Sequence, residues 1–272
     1  MTTIIDGNIA DITFETEKNI GDALSGIEKW AGDSGFCLSR VRVDDAEIAA
    51  GNIDVIFARD IKDVNTLNIV TRPFAALYGE ALAELSAILG SWLESEKRRP
   101  EIESGWQESP AYTFLREHDK QIFEILAGGF SEETVKIAVD TARIHSLEAE
   151  NPAAVFFEMG CELNEEVERL TDLPLDLQTG NDKRAAETVK SFSDFIQKMF
   201  RLIPLLKYAI AEKPDIAGNS LFDEFKSALK EFLAAYENKD MVLSGDLAEY
   251  EIAPRIKDVY AALKKNLILL GT

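Results

Sequence analysis

The chain has 272 residues, of which 46% are hydrophobic, and its 49 acidic residues against 29 basic ones give a net charge of -20. That length can bury one large core or two modest ones. Nucleic acid and the cytoplasmic membrane surface would repel so acidic a protein, so the composition argues against both as partners. No stretch approaches the apolar length of a membrane-spanning helix, and Met1–Gly7 lacks the basic and apolar regions of a signal peptide. We therefore expect a cytoplasmic protein.

The two cysteines, Cys37 and Cys161, are far apart in the sequence and have no CxxC partner. Each lies beside apolar residues, as buried cysteines do. This spacing favours free, buried thiols in a reducing compartment over a disulfide.

The pattern of apolar residues in the sequence changes at Thr71-Arg72-Pro73. Before this point, short β-branched runs surround a single helical segment, whereas after it the apolar residues recur every three or four positions. The change predicts an α/β module over residues 1–72 and an all-α helical bundle over residues 73–272, both within the usual size of domains.

The first module is predicted to begin with a β-hairpin at Asp6-Gly7, a dipeptide typical of type I′ turns. Its second strand should extend over Ile9–Phe14. Thr16 is then positioned to cap a helix. The buried stripe of that helix is predicted to be Ile20, Leu24, Ile27 and Trp30.

Three further strands are predicted after this helix. The first begins at Phe36 and ends at a turn at Asp44-Asp45, the second covers Ile53–Phe57, and the third covers Leu67–Val70. The element order, hairpin, helix, strand, turn, strand and strand, resembles a β-grasp or ubiquitin-like domain. A right-handed crossover from the hairpin over the helix would return the third strand to the same sheet. The resemblance implies no particular activity.

The second part is predicted to contain about seven helices. They begin near Pro73, Ala111, Ser131, Asn151, Ala185, Leu221 and Ser244, and loops or breaks are expected at 101–110, Leu173–Asn181 and Lys213–Asn219. The third helix should carry Val135, Ile137, Val139 and Ile144. From Val189 to Ile210, apolar residues form a heptad seam with a kink at Pro204, and this seam could be buried within the bundle or across a homodimer.

No catalytic, cofactor or metal site is predicted. His118 lies in a fully polar stretch, and His145 could share a helical face with Glu148, but a metal ion needs three or four converging ligands. Cys161 is surrounded by glutamates, which would raise a thiol pKa and leave the thiol unreactive. The helix that Ser131 begins has glutamates in its first turn, which disfavours an anion there.

Two groups of residues are candidates for an interaction surface. The basic run Lys97, Arg98 and Arg99 could dock an acidic partner. The aromatic residues Trp106, Tyr112 and Phe114 flank the predicted loop, where they could anchor an interface or fix the loop to the core.

The resulting hypothesis is a non-catalytic interaction protein, an adaptor or a chaperone, that binds another polypeptide through its bundle or a sheet edge. The alternative is a small-ligand-binding protein or an enzyme with a cleft in the bundle or between the modules. A ubiquitin-type carrier is disfavoured because the module continues directly into a helix at Pro73.

Overall fold

The computed structural model describes residues 1–48, 53–209 and 220–268. Over these residues the chain is α+β, with a five-stranded sheet in the first 73 residues and helices from Phe74 onward. Ten α-helices follow the sheet in the described ranges, so the prediction of about seven was wrong. The number is higher than predicted because the loop expected at 101–110 is helical and because two predicted helices are each divided in two.

The sheet contains strands β1 (Thr2–Ile5), β2 (Asn8–Ala10), β3 (Phe36–Val43), β4 (Ala46–Glu47) and β5 (Thr66–Pro73). Their spatial order is β2-β1-β5-β3-β4. β1 and β5 are parallel at the centre, and the other neighbours are antiparallel. Helix α1 (Ile20–Asp33) connects β2 to β3, and it packs on the sheet with a core of Ile20, Leu24, Ile27, Val43, Val64, Leu67 and Ile69.

Both predicted turns are present. Asp6 and Gly7 have φ of 50° and 79°, the left-handed conformation that a type I′ turn requires. Asp44 and Asp45 have φ of 48° and 65°. The Asp44 carboxylate accepts hydrogen bonds from the backbone N–H groups of Thr66 and Asn65. Both bonds lower the pKa of this carboxyl group, and the bond from Thr66 has the larger effect.

Helix α1 begins at Ile20, three residues later than a helix capped by Thr16 would begin. Its N-cap is Asn19, whose side chain accepts a hydrogen bond from Asp22 N at 2.8 Å. Ile20, Leu24 and Ile27 are buried as predicted, but Trp30 is 50% exposed and Ala31 is buried in its place. The predicted strand Ile9–Phe14 ends at Ala10, and residues 11–18 lie outside regular secondary structure.

The predicted strand at Ile53–Phe57 is wrong, because these residues form the short helix α2 (Ile53–Phe57). A 3-10 turn at Ile61–Asp63 then leads into β5. Five alternating residues do not distinguish a strand from one turn of helix by periodicity alone.

The helices after the sheet are α3 (Phe74–Glu94), α4 (Arg99–Glu108), α5 (Pro110–His118), α6 (Lys120–Leu126), α7 (Glu132–Glu150), α8 (Pro152–Thr179), α9 (Asp182–Ala209), α10 (Ser220–Glu237), α11 (Met241–Asp246) and α12 (Ala253–Ile268). A 3-10 turn precedes α4, and a π-helical segment at Leu247–Ile252 joins α11 to α12.

Two predicted irregular segments are helical. The loop expected at 101–110 is occupied by α4, in whose first turn Pro100 is well tolerated. The break expected at Leu173–Asn181 is also wrong, because α8 continues through Pro174 to Thr179 and ends at Gly180, which has a φ of 70°. The break expected at Lys213–Asn219, together with Ile210, lies outside the described residues.

Helix α7 buries a different face from the predicted one. Val135, Ala138, Ala142 and His145 are buried, whereas Ile137 and Ile144 are 47% and 49% exposed. The small alanine side chains allow close packing, and α3 and α7 are in extensive contact. In α9, by contrast, Phe192, Ile196, Met199, Ile203 and Leu206 of the predicted seam are buried.

Among the described residues, contacts divide the chain into two compact units, of which the first contains Met1–Glu150 and Lys207–Ala209 and the second contains Asn151–Leu206 and residues 220–268. The sheet and helices α1–α7 belong to the first unit. The boundary expected at Thr71–Pro73 stays a prediction.

The second unit contains one very close approach between helices α8 and α12. A Cβ atom added to Gly160 would lie 2.4 Å from the hydroxyl of Tyr260. That hydroxyl donates to Phe156 O at 3.1 Å, and its ring stacks on Phe156 at 4.6 Å. Glycine at position 160 therefore makes room for the tyrosine that joins the two helices.

We expect Gly160→Ala to lower the free energy of unfolding by about 1–3 kcal/mol, because the added methyl displaces a packed ring. Urea unfolding measures the change. The double variant Gly160→Ala/Tyr260→Phe removes the clashing oxygen and should lose less than the sum of the single variants. Full additivity would contradict the contact. Gly90→Ala, at a helical glycine with open space around it, is the control and should be neutral or stabilising.

Candidate functional site

The predicted basic run occupies the 3-10 turn and the start of α4. Lys97 and Arg98 are exposed, and Arg98 lies 3.7 Å from the Glu101 carboxylate. The guanidinium of Arg99 lies 3.9 Å above the ring of Trp92 and also approaches Glu132. Arg99 therefore makes intramolecular contacts, whereas Lys97 and Arg98 lie at the surface.

The three predicted aromatic residues belong to two ring clusters. Trp106 is 4% exposed and lies edge-on to the half-buried Tyr112, with their ring centroids 5.3 Å apart. Phe114 packs on Phe74 at 5.6 Å and on His118 at 4.6 Å. Their role in an interface stays a prediction.

A small cavity of about 210 Å³ lies beside Trp106 and Tyr112. The aromatic side chains of Phe123 and Phe130 also line it, together with Glu103. Glu103 Oε1 accepts a hydrogen bond from the indole N–H of Trp92 at 2.9 Å. The cavity thus combines four aromatic residues with one carboxylate whose position is held.

A buried polar network lies among helices α3, α5, α6 and α7. Tyr78 donates its hydroxyl proton to Asp119 Oδ2 at 2.6 Å, and His145 Nδ1 lies 2.6 Å from the same oxygen. Asp119 Oδ1 accepts from Ile122 N at 3.1 Å and so caps α6. Asp119 is 3% exposed and His145 is 1% exposed.

The hydrogen bonds around Asp119 outweigh the effect of its burial. Burial by itself raises the pKa of a carboxyl group. Hydrogen bonds and charge from His145, with further hydrogen bonds from Tyr78 and Ile122 N, lower the pKa of Asp119 below its ordinary value. The group is therefore held as a carboxylate at neutral pH.

A tyrosine, an aspartate and a histidine in contact could in principle transfer protons. None of these three residues lines the cavity beside Trp106, and all three are almost fully enclosed. A substrate could not reach them in this conformation, so we assign the network a structural role.

The sequence singled out His145 but not its true partners. It paired His145 with Glu148 on one helical face, and both are buried there, but the contacts of His145 with Tyr78 and Asp119 cross between helices. One feature of the sequence around Asp119 could have indicated its role as a helix cap. An aspartate just before a short apolar helix is a common N-cap, and the predicted helix over 111–127 is divided at that residue.

The other candidate groups have ordinary surroundings. Cys37 is half-buried, and burial raises the pKa of its thiol, whereas Cys161 is exposed, contrary to the prediction of a buried thiol. The ring of His118 packs edge-on to Phe74, and burial lowers its pKa. Among the described residues, no three histidine, cysteine or acidic side chains are grouped to hold a metal ion.

A larger groove of about 500 Å³ lies in the sheet module between the end of β2 and helix α1. Its apolar lining comes from both sides. Ala10 ends strand β2, Ile12 and Phe14 follow it, and Ile27 and Trp30 lie on the helix. Two carboxylates, Asp11 and Glu17, also line the groove. The groove borders β2, which lies at one edge of the sheet.

Comparison with known proteins gives similarity over both ends of the chain. Residues 1–73 match the family model of the TP0873 N-terminal domain. Residues 162–262 match a domain of unknown function, DUF8042. An uncharacterized protein of Treponema pallidum (strain Nichols) is 22% identical over 263 residues, which cover 95% of this chain and 94% of that protein. No solved structure matches. The helices in the described part of the chain include none with the length and apolar character to cross a bilayer.

We expect Asp119→Asn to lower the free energy of unfolding by about 2–4 kcal/mol, because it weakens a buried, charge-assisted network and leaves His145 without its carboxylate. Urea unfolding at pH 7 measures the change. Asp140→Asn, at an exposed position on α7, is the matched control and should stay within about 0.5 kcal/mol of the parent protein. Equal stability of the two variants would contradict a structural role for the network.

The lowered pKa of Asp119 also predicts a pH dependence. The unfolded carboxyl titrates near pH 3.9, and the folded one titrates lower. Its contribution is therefore fully present above about pH 4 and is lost as the pH falls through the folded pKa. The stability difference between the parent protein and Asp119→Asn should shrink over that range in urea unfolding. A constant difference down to acid unfolding would be inconsistent with this assignment.

Proposed function

We propose that this protein is a non-catalytic interaction protein, an adaptor or chaperone, that binds an extended segment of another polypeptide in the groove between β2 and α1. The observation that carries the proposal is an apolar groove directly beside an edge strand. Trp30, half exposed on the groove wall, is the kind of aromatic anchor that dominates binding energy at interfaces.

The edge strand supports strand addition as the binding mode. β2 is three residues long and pairs with β1 through Thr3, Ile4 and Ile5. Its outer edge faces away from the sheet and offers backbone donors and acceptors to an incoming strand. Alternate side chains of that strand would then point towards Ile12 and Trp30, because successive residues of a strand face opposite sides.

The charges of the groove specify the chemistry of the partner. Asp11 and Glu17 are the charged residues among its lining side chains, and the chain as a whole carries a net charge of -20. An apolar segment flanked by lysine or arginine would be attracted, whereas an acidic segment would be repelled. We therefore propose a basic, apolar peptide as the occupant.

We also propose a β-grasp fold for the sheet module and a cytoplasmic location. The strand order β2-β1-β5-β3-β4, with a parallel central pair and a helix between β2 and β3, supports the fold. The surface acidity and the cysteines without disulfide partners support the location. Cell fractionation with a tagged full-length chain tests the location.

Fluorescence polarisation with labelled synthetic peptides tests the binding site. We expect a peptide of alternating valine and isoleucine with lysine at both ends to bind. Its counterpart with glutamate ends should bind at least about tenfold more weakly. A proline in the centre of the peptide should weaken binding because it removes a backbone donor.

Variants of the protein locate the site. Trp30→Ala and Ile12→Asp should each weaken binding of the lysine-flanked peptide about tenfold or more, because both remove apolar contact in the groove. Val55→Asp, at a position that is 75% exposed and outside the groove, is the control. Unchanged binding by Trp30→Ala and Ile12→Asp would refute the site.

The aromatic cavity beside Trp106 favours a second function, the binding of a small ligand by the helices of the first unit. Its enclosure by aromatic side chains and its fixed carboxylate are features of ligand sites and are independent of the groove.

A further inference from the structure

We propose that the cavity lined by Glu103, Trp106, Tyr112, Phe123 and Phe130 binds a small quaternary ammonium compound. We call this cavity the aromatic pocket. The proposal rests on its ring geometry and on its single carboxylate, and it does not depend on the peptide groove.

The rings of the aromatic pocket stand at large angles to one another. Trp106 and Tyr112 are 5.3 Å apart with an interplanar angle of 85°, and Tyr112 and Phe123 are 5.5 Å apart at 61°. Rings at such angles to one another present their faces in different directions, as adjoining walls do. A cation within about 6 Å of an aromatic face is attracted by the negative charge of that face.

Glu103 supplies the full negative charge. Its side chain is half-buried, and the indole N–H of Trp92 fixes its position. Over the described residues, no lysine or arginine forms an ion pair with this carboxylate. A half-buried carboxylate without a protein counterion favours a cationic ligand and disfavours an anion.

Size and hydrogen bonding narrow the class of cation. A volume of about 210 Å³ is smaller than a drug-sized site and suits a compact ligand. A primary ammonium needs several acceptors to replace its hydration, whereas the side chains that line the aromatic pocket, apart from Glu103 and Gln107, are aromatic or apolar. A quaternary ammonium has no N–H donors, and its methyl groups can contact the rings directly.

An internal cation also approaches one of these rings from outside the residues that line the aromatic pocket. The guanidinium carbon of Arg116 lies 5.8 Å from the centroid of Tyr112, at the limit of the cation–π range. Because Arg116 is exposed, it can move away at little cost. Its positive charge should nevertheless weaken the binding of a second cation.

Isothermal titration calorimetry on the full chain tests the proposal with tetramethylammonium, choline and 3,3-dimethylbutan-1-ol, the uncharged isostere of choline. We expect both cations to bind saturably and the uncharged isostere to bind about tenfold more weakly or not at all. Equal affinity for choline and its isostere would overturn the proposal, as would no saturable binding of the cations in the millimolar range. Tighter binding of a trimethyllysine peptide than of choline would assign the pocket to a modified protein and overturn the small-molecule source.

Variants locate the binding to the pocket. Glu103→Gln keeps an acceptor for Trp92 but removes the charge, so it should weaken choline binding about tenfold, whereas Glu101→Gln on the same helix should not. Tyr112→Leu should also weaken binding, and Tyr250→Leu, at an exposed tyrosine outside the pocket, is its control. Arg116→Gln should strengthen binding, a change that general destabilisation of the fold would not produce. Unchanged affinity in Glu103→Gln and Tyr112→Leu would refute the site even if choline binds.

Discussion

The helical part of the first unit depends on the hydrogen bonds that the carboxylate of Asp119 accepts. One residue ends α5, caps α6 and accepts hydrogen bonds from Tyr78 on α3 and, through Nδ1, from His145 on α7. Four helices therefore converge on one residue. A buried charge is costly unless its partners are placed correctly, so this contact constrains the relative positions of those helices more sharply than apolar packing can.

Local rules predicted the parts of the fold that local chemistry decides. The hairpin at Asp6-Gly7 and the helix start at Asn151-Pro152 depend on side chains next to the backbone they fix, and both are present. Prediction failed where tertiary packing decides. Alternation at Ile53–Phe57 suits a strand, yet the segment is helical, and Pro174 is accommodated inside α8.

The candidate sites show the same division. Trp106 and Tyr112 were found because aromatic residues stand out in a polar stretch, but the loop predicted around them is a helix, which turns a flexible surface into a pre-shaped pocket. Asp119 was missed because its importance comes from residues 26 and 41 positions away in the sequence. The groove beside β2 was missed because Trp30 was expected to be buried.

Helix α7 carries two apolar stripes, and this has a consequence for how the chain reaches a single native arrangement. The inner stripe is built on Ala138 and Ala142, whereas the outer one, with Ile137 and Ile144, is the more hydrophobic. Hydrophobicity alone would favour rotating the helix to bury the isoleucines. That rotation would move His145 away from Asp119 and leave the carboxylate of Asp119 buried without this partner. The free-energy cost of such a buried anion is larger than the free energy gained by burying the two isoleucine side chains. The polar pair thereby selects one helix orientation against a competing one.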